Sequence, residues 1–220
     1  MRTLFSFQLA FVLFLPLCAQ SKSDSTASKI GRGFYAYGGI GPAIPLGKYG
    51  RERFTGFDLN TAAELRYPSG FILRGMFDFS SFAFERGTIS QASNGKVYKL
   101  SGSNNLVTIA LSGGYMMNLG HISPYVFSGF GASFLSRPDV VVNDPQSYVD
   151  TNLIVKGYLS TLTGAGFDIL LNPKEKNNKE NKSPFVFYLE AFYTHIPSQT
   201  ETSVNKFNLV SINIGLKSKF

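Results

Sequence analysis

Between Val210 and Phe220 the chain alternates: Val210, Ile212, Ile214, Leu216 and Phe220 fall on one side of an extended backbone, and Ser211, Asn213, Lys217 and Lys219 fall on the other. Successive strand side chains point to opposite faces, so this segment reads as a strand with one apolar and one polar face. Strands of that kind also occur in soluble sandwiches and closed soluble barrels, and the stronger constraint is that the pattern recurs. From Gly33 onward eight alternating segments follow one another, at approximately 33 to 41, 56 to 67, 70 to 82, 104 to 118, 122 to 136, 153 to 171, 184 to 196 and 206 to 220. Most are about ten residues or longer, the length a tilted strand needs to cross a bilayer.

The connections sort into two kinds. Pro68-Ser69 and Leu119-Gly120-His121 are tight turns, whereas 42 to 55, 83 to 103, 137 to 152 and 197 to 205 are long and polar. Short turns at one end and long loops at the other is the outer-membrane barrel pattern, and an even strand number leaves both termini on the short-turn, periplasmic side. The expectation is an all-β, eight-stranded antiparallel up-and-down transmembrane β-barrel. One connection departs from the rule: 172 to 183 (NPKEKNNKENKS) is charged and Asn-rich where a short turn belongs, and it reads as a solvated, flexible periplasmic turn. Within 83 to 103, Ser93-Asn94-Gly95 is a hairpin-turn signal that would extend the flanking strands.

Charge placement separates the faces. Phe57, Leu59, Ala63, Leu65 and Tyr67 oppose Asp58, Asn60, Glu64 and Arg66; Phe71, Leu73, Phe77 and Phe79 oppose Arg74, Asp78 and Ser80. Val155, Leu159, Phe167 and Ile169 oppose Lys156, Ser160 and Asp168, and Phe185, Phe187, Leu189 and Tyr193 oppose Glu190 and Thr194. Gly113, Gly129, Gly131, Gly164, Gly166 and Gly215, or their near neighbours, share the polar face and leave room in a narrow lumen, which in an eight-stranded barrel side chains just fill. Glu64, Arg66, Arg74, Asp168, Glu190 and Lys217 then project into the periplasmic half of that lumen with acids and bases in balance. Unpaired charges there would be costly, so an interior ion-pair plug is expected in place of an open pore. The soluble alternative is a lipocalin-like barrel with its apolar face turned inward around a ligand. It has no use for the Phe-rich outer face or for Tyr35, Tyr67, Tyr125 and Tyr193 near strand ends, which read as membrane-interface belts.

The start of the chain indicates its compartment. Met1-Arg2, an apolar run from Leu4 to Leu17, and Cys18-Ala19-Gln20 read as a secretory signal peptide over 1 to 19, cleaved after Ala19, with a short polar segment over 20 to 32 before the barrel domain at 33 to 220. The single cysteine, Cys18, leaves with that peptide, so no disulfide is expected, and bulky Leu17 before it argues against lipidation. Beyond the signal peptide no segment approaches twenty consecutive apolar residues, so no helical span is expected. The formal charge of +7 is scattered and accompanies no nucleic-acid motif, which excludes nucleic acid as the natural partner and suits a basic rim facing anionic headgroups of outer-membrane lipid and lipopolysaccharide.

The signal peptide ending at Ala19-Gln20, the opening GFYAYGGIGPAIPLGK from Gly33 to Lys48 and the closing VSINIGLKSKF from Val210 to Phe220 together resemble the small outer-membrane β-barrel family of Bacteroidetes-type bacteria, similar in architecture to OmpA- and OmpX-like barrels. The resemblance implies outer-membrane location and insertion by the barrel-assembly machinery, which would recognise a signal formed by Ile212, Ile214, Leu216 and Phe220. An OmpA-type periplasmic peptidoglycan-binding domain is not expected. Function is not implied, because the fold hosts structural proteins, adhesins and enzymes; the expectation is a non-enzymatic barrel with a structural or surface-interaction role through its long loops, its extracellular partner unspecified.

Lipid A deacylases of the barrel type pair a His with a Ser two positions on; His121-Ile122-Ser123 has that spacing but falls in a periplasmic turn, and His195, with Thr194 and Ser198 nearby, is better placed but lacks a motif. Two His and one Cys make a zinc site improbable, and no cofactor is expected. Gly41 to Lys48 departs from a phosphate loop in spacing, in Tyr49 where Ser or Thr is needed, and in its two prolines; Gly38-Gly39-Ile40-Gly41 has no following helix.

Overall fold

The computed structural model describes residues 32–46, 55–90, 97–143, 148–171, 185–197 and 207–220. Its strands run in chain order: β1 (Gly33–Leu46), β2 (Gly56–Arg66), β3 (Phe71–Ser90), β4 (Val97–Met116), β5 (Ile122–Asn143), β6 (Tyr148–Leu170), β7 (Phe185–Ile196) and β8 (Phe207–Lys219). Each pairs antiparallel with the next, and β8 pairs with β1, so the sheet closes into an eight-stranded barrel. Closure leaves no free sheet edge, which allows every backbone donor and acceptor of the wall to be satisfied within the protein. The signal-peptide reading and the charged 172 to 183 connection lie outside the described residues.

Gly33 partners Arg66 and Tyr35 partners Lys219, which puts both ends of the barrel chain at the same rim as the tight turns. In the β2–β3 turn the Gly70 N–H donates to the Tyr67 carbonyl at 3.0 Å, with Gly70 at φ 89°, a conformation other residues rarely adopt. In the β4–β5 turn the Gly120 N–H donates to Asn118 Oδ1 at 3.2 Å.

The strands are longer than alternation alone indicated. β3 and β4 stay paired to Ser90 and Val97, and β5 and β6 to Asn143 and Tyr148. Two of the expected loops are therefore largely hairpins. Between them pairing ends at Asn105 and Ser136, so two separate ribbons stand beyond the common wall, on the order of 25 Å along the strand at about 3.3 Å per residue. In the first, the Ser-Asn-Gly signal falls between the last paired residues.

The faces sort by parity around the whole barrel. Phe57, Leu59, Phe77, Ile109, Leu111, Phe130, Leu159 and Phe167 point outward, Phe130 at 71% and Leu159 at 77% exposure, while Asp58, Glu64, Arg74, Asp78, Asp168, Glu190 and Lys217 are turned inward and buried. A lipocalin-like barrel has the opposite polarity, and that reading is excluded. Three details correct the expectations above. Tyr35 and Tyr125 are buried in the lumen and belong to no interface belt, since Tyr35 sits directly across from inward Glu64; Tyr67 does stand outside. On β4 it is Gly114 that faces inward, against Phe127, while Gly113 lies under the outer Phe71 ring. Lys156 is exposed.

The β1–β8 seam depends on Gly41. A Cβ there would lie 1.7 Å from the Ile212 carbonyl oxygen, and the neighbouring Pro42 has no N–H to offer the ladder. Gly41→Val is expected to destabilise the barrel by about 1–3 kcal/mol through backbone displacement. The check is a lower denaturant midpoint for the mobility difference between folded and heat-unfolded protein on electrophoresis; an unchanged midpoint would show that the seam can spread without loss.

Candidate functional site

Three groups of inward side chains, distinct in chemistry, occupy the lumen, and a further apolar cluster that includes Ile72, Met76, Leu162 and Phe192 packs beside them. Nearest the tight turns, Glu64 and Arg66 from β2, Arg74 from β3, Asp168 from β6, Glu190 from β7 and Lys217 from β8 meet on the barrel axis, each at most 3% exposed. Their even or odd positions put them all on the inner face, and the register sets Glu64 directly across from Arg74. Glu64 is the hub: Arg66 Nε donates to its Oε1, Arg74 donates to its Oε2 from Nη2 at 2.9 Å and from Nε at 3.2 Å, and Lys217 Nζ lies 3.6 Å from Oε2. Arg66 Nη2 reaches across the lumen to Asp168 Oδ2 at 2.5 Å, Arg74 Nη1 to Glu190 Oε2 at 2.7 Å, and Lys217 Nζ lies 3.0 Å from Asp168 Oδ1. Three acids thus face three bases, which removes the net charge that burial would penalise most.

Aromatic rings enclose the same cations. Arg66 lies over Tyr35 at 4.0 Å, Arg74 over Phe127 at 4.2 Å, and Lys217 Nζ stands 4.4 Å from the Tyr125 ring centre, 4.5 Å from Tyr37 and 5.0 Å from Tyr188. Desolvated cation–π contacts of this kind add about 2 kcal/mol or more. The Tyr125 hydroxyl also donates to Glu190 at 2.8 Å, so the rings orient the acids as well. Tyr35 and Tyr125, read from sequence as belt residues, are site residues here, and so are Tyr37, Phe127 and Tyr188, for which no site reading was made; inner parity was the available signal.

Above this network is a polar chamber. Ser80 Oγ donates to Asp58 at 2.5 Å and lies 3.4 Å from Asp78, and Asn213 Nδ2 donates to the other Asp58 oxygen at 2.6 Å. On the opposite wall Thr108, Ser133 and Ser160 form a hydroxyl ladder with two contacts of 2.8 Å. Above the chamber the lumen turns apolar: Ala43, Phe82, Leu106, Leu135, Ile196, Phe207 and Leu209 pack into a buried cap, with the Phe82 and Phe207 rings edge to face at 6.1 Å.

The terminal-strand residues lie elsewhere. Ile212, Ile214 and Leu216 point out of the wall, and Phe220 stands exposed beside Phe34, donating its N–H to the Phe34 carbonyl at 2.9 Å. The candidate catalytic groups are not assembled. Ser123 is fully buried toward the lumen while His121 is exposed in the turn. His195 points outward, hydrogen-bonded through Nδ1 to Asn208 at 2.7 Å and stacked on Tyr193. Among the described residues no three His, Cys, Asp or Glu side chains converge.

No protein-family model matches the chain, and no curated protein matches it. Solved structures do. The crystal structure of the neisserial surface protein NspA is similar over 89% of this chain and all of that one, at 14% identity and a TM-score of 0.55. The outer membrane protein OprG from Pseudomonas aeruginosa is similar over 86% of this chain and 96% of its own, at 12% identity and a TM-score of 0.51. At such identities the likeness is one of fold: this chain has the architecture of the small eight-stranded outer-membrane barrels.

Proposed function

We propose that the chain is an integral outer-membrane protein whose filled lumen does not conduct, and whose role is structural or lies in surface interaction through the β3–β4 and β5–β6 hairpins. The observation that carries this is the inverted polarity of the wall: large aliphatic and aromatic side chains cover the outside while ionised groups are held within. Water would not tolerate the first, and a hydrocarbon surround rewards it at about 25 cal/mol per Å². Both ends of the barrel chain then sit at the periplasmic rim, as they do when tight turns face the periplasm, and the hairpins project to the exterior. Ile212, Ile214, Leu216 and Phe220 are read as the signal for the barrel-assembly machinery, and outer-membrane lipid and lipopolysaccharide as the surround. The scattered candidate catalytic groups favour a non-enzymatic role over lipid modification.

Two measurements test this. The protein is expected to fractionate with outer membranes and to migrate faster unheated than heated on electrophoresis; a soluble, heat-insensitive species would refute the membrane reading. In planar bilayers it is expected to give no sustained open current, because the charged network and the apolar cap each obstruct the lumen. Persistent ohmic conductance would refute the closed lumen while leaving the location intact.

A further inference from the structure

We propose that the chamber between the charged network and the cap, bounded by Asp58, Asn60, Asp78, Ser80, Ser211 and Asn213, is a binding site for one Ca²⁺ ion. The three acids and three bases of the lower network balance one another in charge, and among the described residues no ion pair reaches Asp58 or Asp78, which are 0% and 1% exposed. Two carboxylates thus stand side by side, both within reach of Ser80 Oγ, in a dry enclosure where no cation of the described residues pairs with them. Two like charges so placed are not tolerated without a counter-charge or a proton.

A second observation points to a ligand. Asp78 Oδ1, both side-chain heteroatoms of Asn60, Asn213 Oδ1 and Ser211 Oγ are buried without a hydrogen-bond partner. An unsatisfied buried polar group is costly, and several stand together here: Asn60 lies beside Asp78, Ser211 beside Asp58, and Asn213 already holds Asp58. By contrast, the hydroxyls on the facing wall pair with one another. The donors of the chamber are all oxygens once the amides present their carbonyls: two carboxylates, two amides and two hydroxyls. That is a hard set with two negative charges, and it matches Ca²⁺, which takes about 6–8 oxygens in flexible geometry, better than Mg²⁺, which demands a near-ideal octahedron and keeps several waters. Gly39 and Gly41 on β1 line the same stretch of the lumen, where the absence of a Cβ lets the Tyr188 hydroxyl and Asn213 Oδ1 approach the β1 backbone. The Phe82–Phe207 cap lies over the chamber, so an ion taken up as the barrel closes would be trapped.

The test uses the full barrel, folded into detergent in the presence of Ca²⁺ or of Mg²⁺ alone, washed with chelator while folded, and measured for metal by mass spectrometry. About one Ca²⁺ per barrel, resistant to the wash and released on heat unfolding, is expected, with Mg²⁺ retained at less than about a tenth of that. Asp78→Asn and Asp58→Asn, each checked for folding by heat-modifiable migration, are expected to lose the ion. Wild-type barrel that folds equally in both arms and retains no Ca²⁺, with an infrared band of a protonated carboxyl, would overturn the proposal in favour of a shared proton. Equal retention of Mg²⁺, or retention unchanged in both variants, would overturn it as well.

Discussion

Glu64→Gln is expected to destabilise the barrel by about 3–5 kcal/mol, the range for removing one partner from a buried ion network. The substitution is nearly isosteric, so packing is preserved and charge alone changes. Three bases touch this one carboxylate, and Arg66 and Arg74 each donate to it while reaching across the lumen to Asp168 and Glu190. Without Glu64 the network keeps three cations against two acids in a space where water does not reach them. Because the chain has no Trp, the readout is the denaturant midpoint of the heat-modifiable mobility shift in detergent or lipid. A second variant distinguishes charge from disturbed packing. Glu64→Gln combined with Lys217→Met returns the layer to two acids and two bases, and the pair is expected to be more stable than the sum of the single changes by about 0.5–3 kcal/mol. A midpoint for Glu64→Gln indistinguishable from wild type, or strict additivity in the double variant, would sink the view that a closed charge balance holds the lumen together.

Period-two alternation located all eight strands because a bilayer-facing wall imposes it on every one. The composition of the lower network was legible for the same reason: once Glu64 and Arg66 share a face with Asp58, parity carries the argument from strand to strand. What parity along one strand cannot supply is register between strands. Asp58 and Asp78 meet because β2 and β3 pair with Asp58 opposite Ser80 and Asn60 opposite Asp78, and a shift of two residues would separate them without changing either strand's pattern. Tyr35 and Tyr125 illustrate the ambiguity of residue type, since a Tyr near a strand end suits an interface belt and a lumen equally until its cross-strand neighbour is known. Of the two hairpin extensions the first left one local signal, Ser93-Asn94-Gly95, and alternation marked neither for a different reason. Beyond the bilayer neither face of a ribbon is obliged to be apolar, so segments such as Glu85 to Ser90 carry turn-like composition and still pair. The cap was hidden by alternation itself, because Phe82, Leu106 and Leu209 are apolar residues at positions where the pattern calls for polar ones.

That inversion makes the cap the second place where a single change should act strongly. Phe82 is fully buried and packs on Phe207 among aliphatic residues from β4, β5, β7 and β8. Phe82→Ala removes that ring from a region walled by strands that cannot collapse inward, so the cavity persists and the cost is expected at about 3–5 kcal/mol. The consequence for permeation differs from the consequence for stability. In the closed lumen proposed above the cap and the charged network lie in series, so opening the cap admits water to Asp58, Asn60 and Asn213 without passing the lower network. Phe82→Ala alone is therefore expected to give no sustained current in planar bilayers while exchange of the Asn213 side-chain amide with solvent accelerates. Current is expected when the cap change is combined with Arg74→Ala, which removes the largest fully buried side chain and its bonds to Glu64 and Glu190. Open currents from Phe82→Ala by itself would show that the charged layer does not block the lumen. Continued closure of the combined variant would show that the obstruction lies in neither layer.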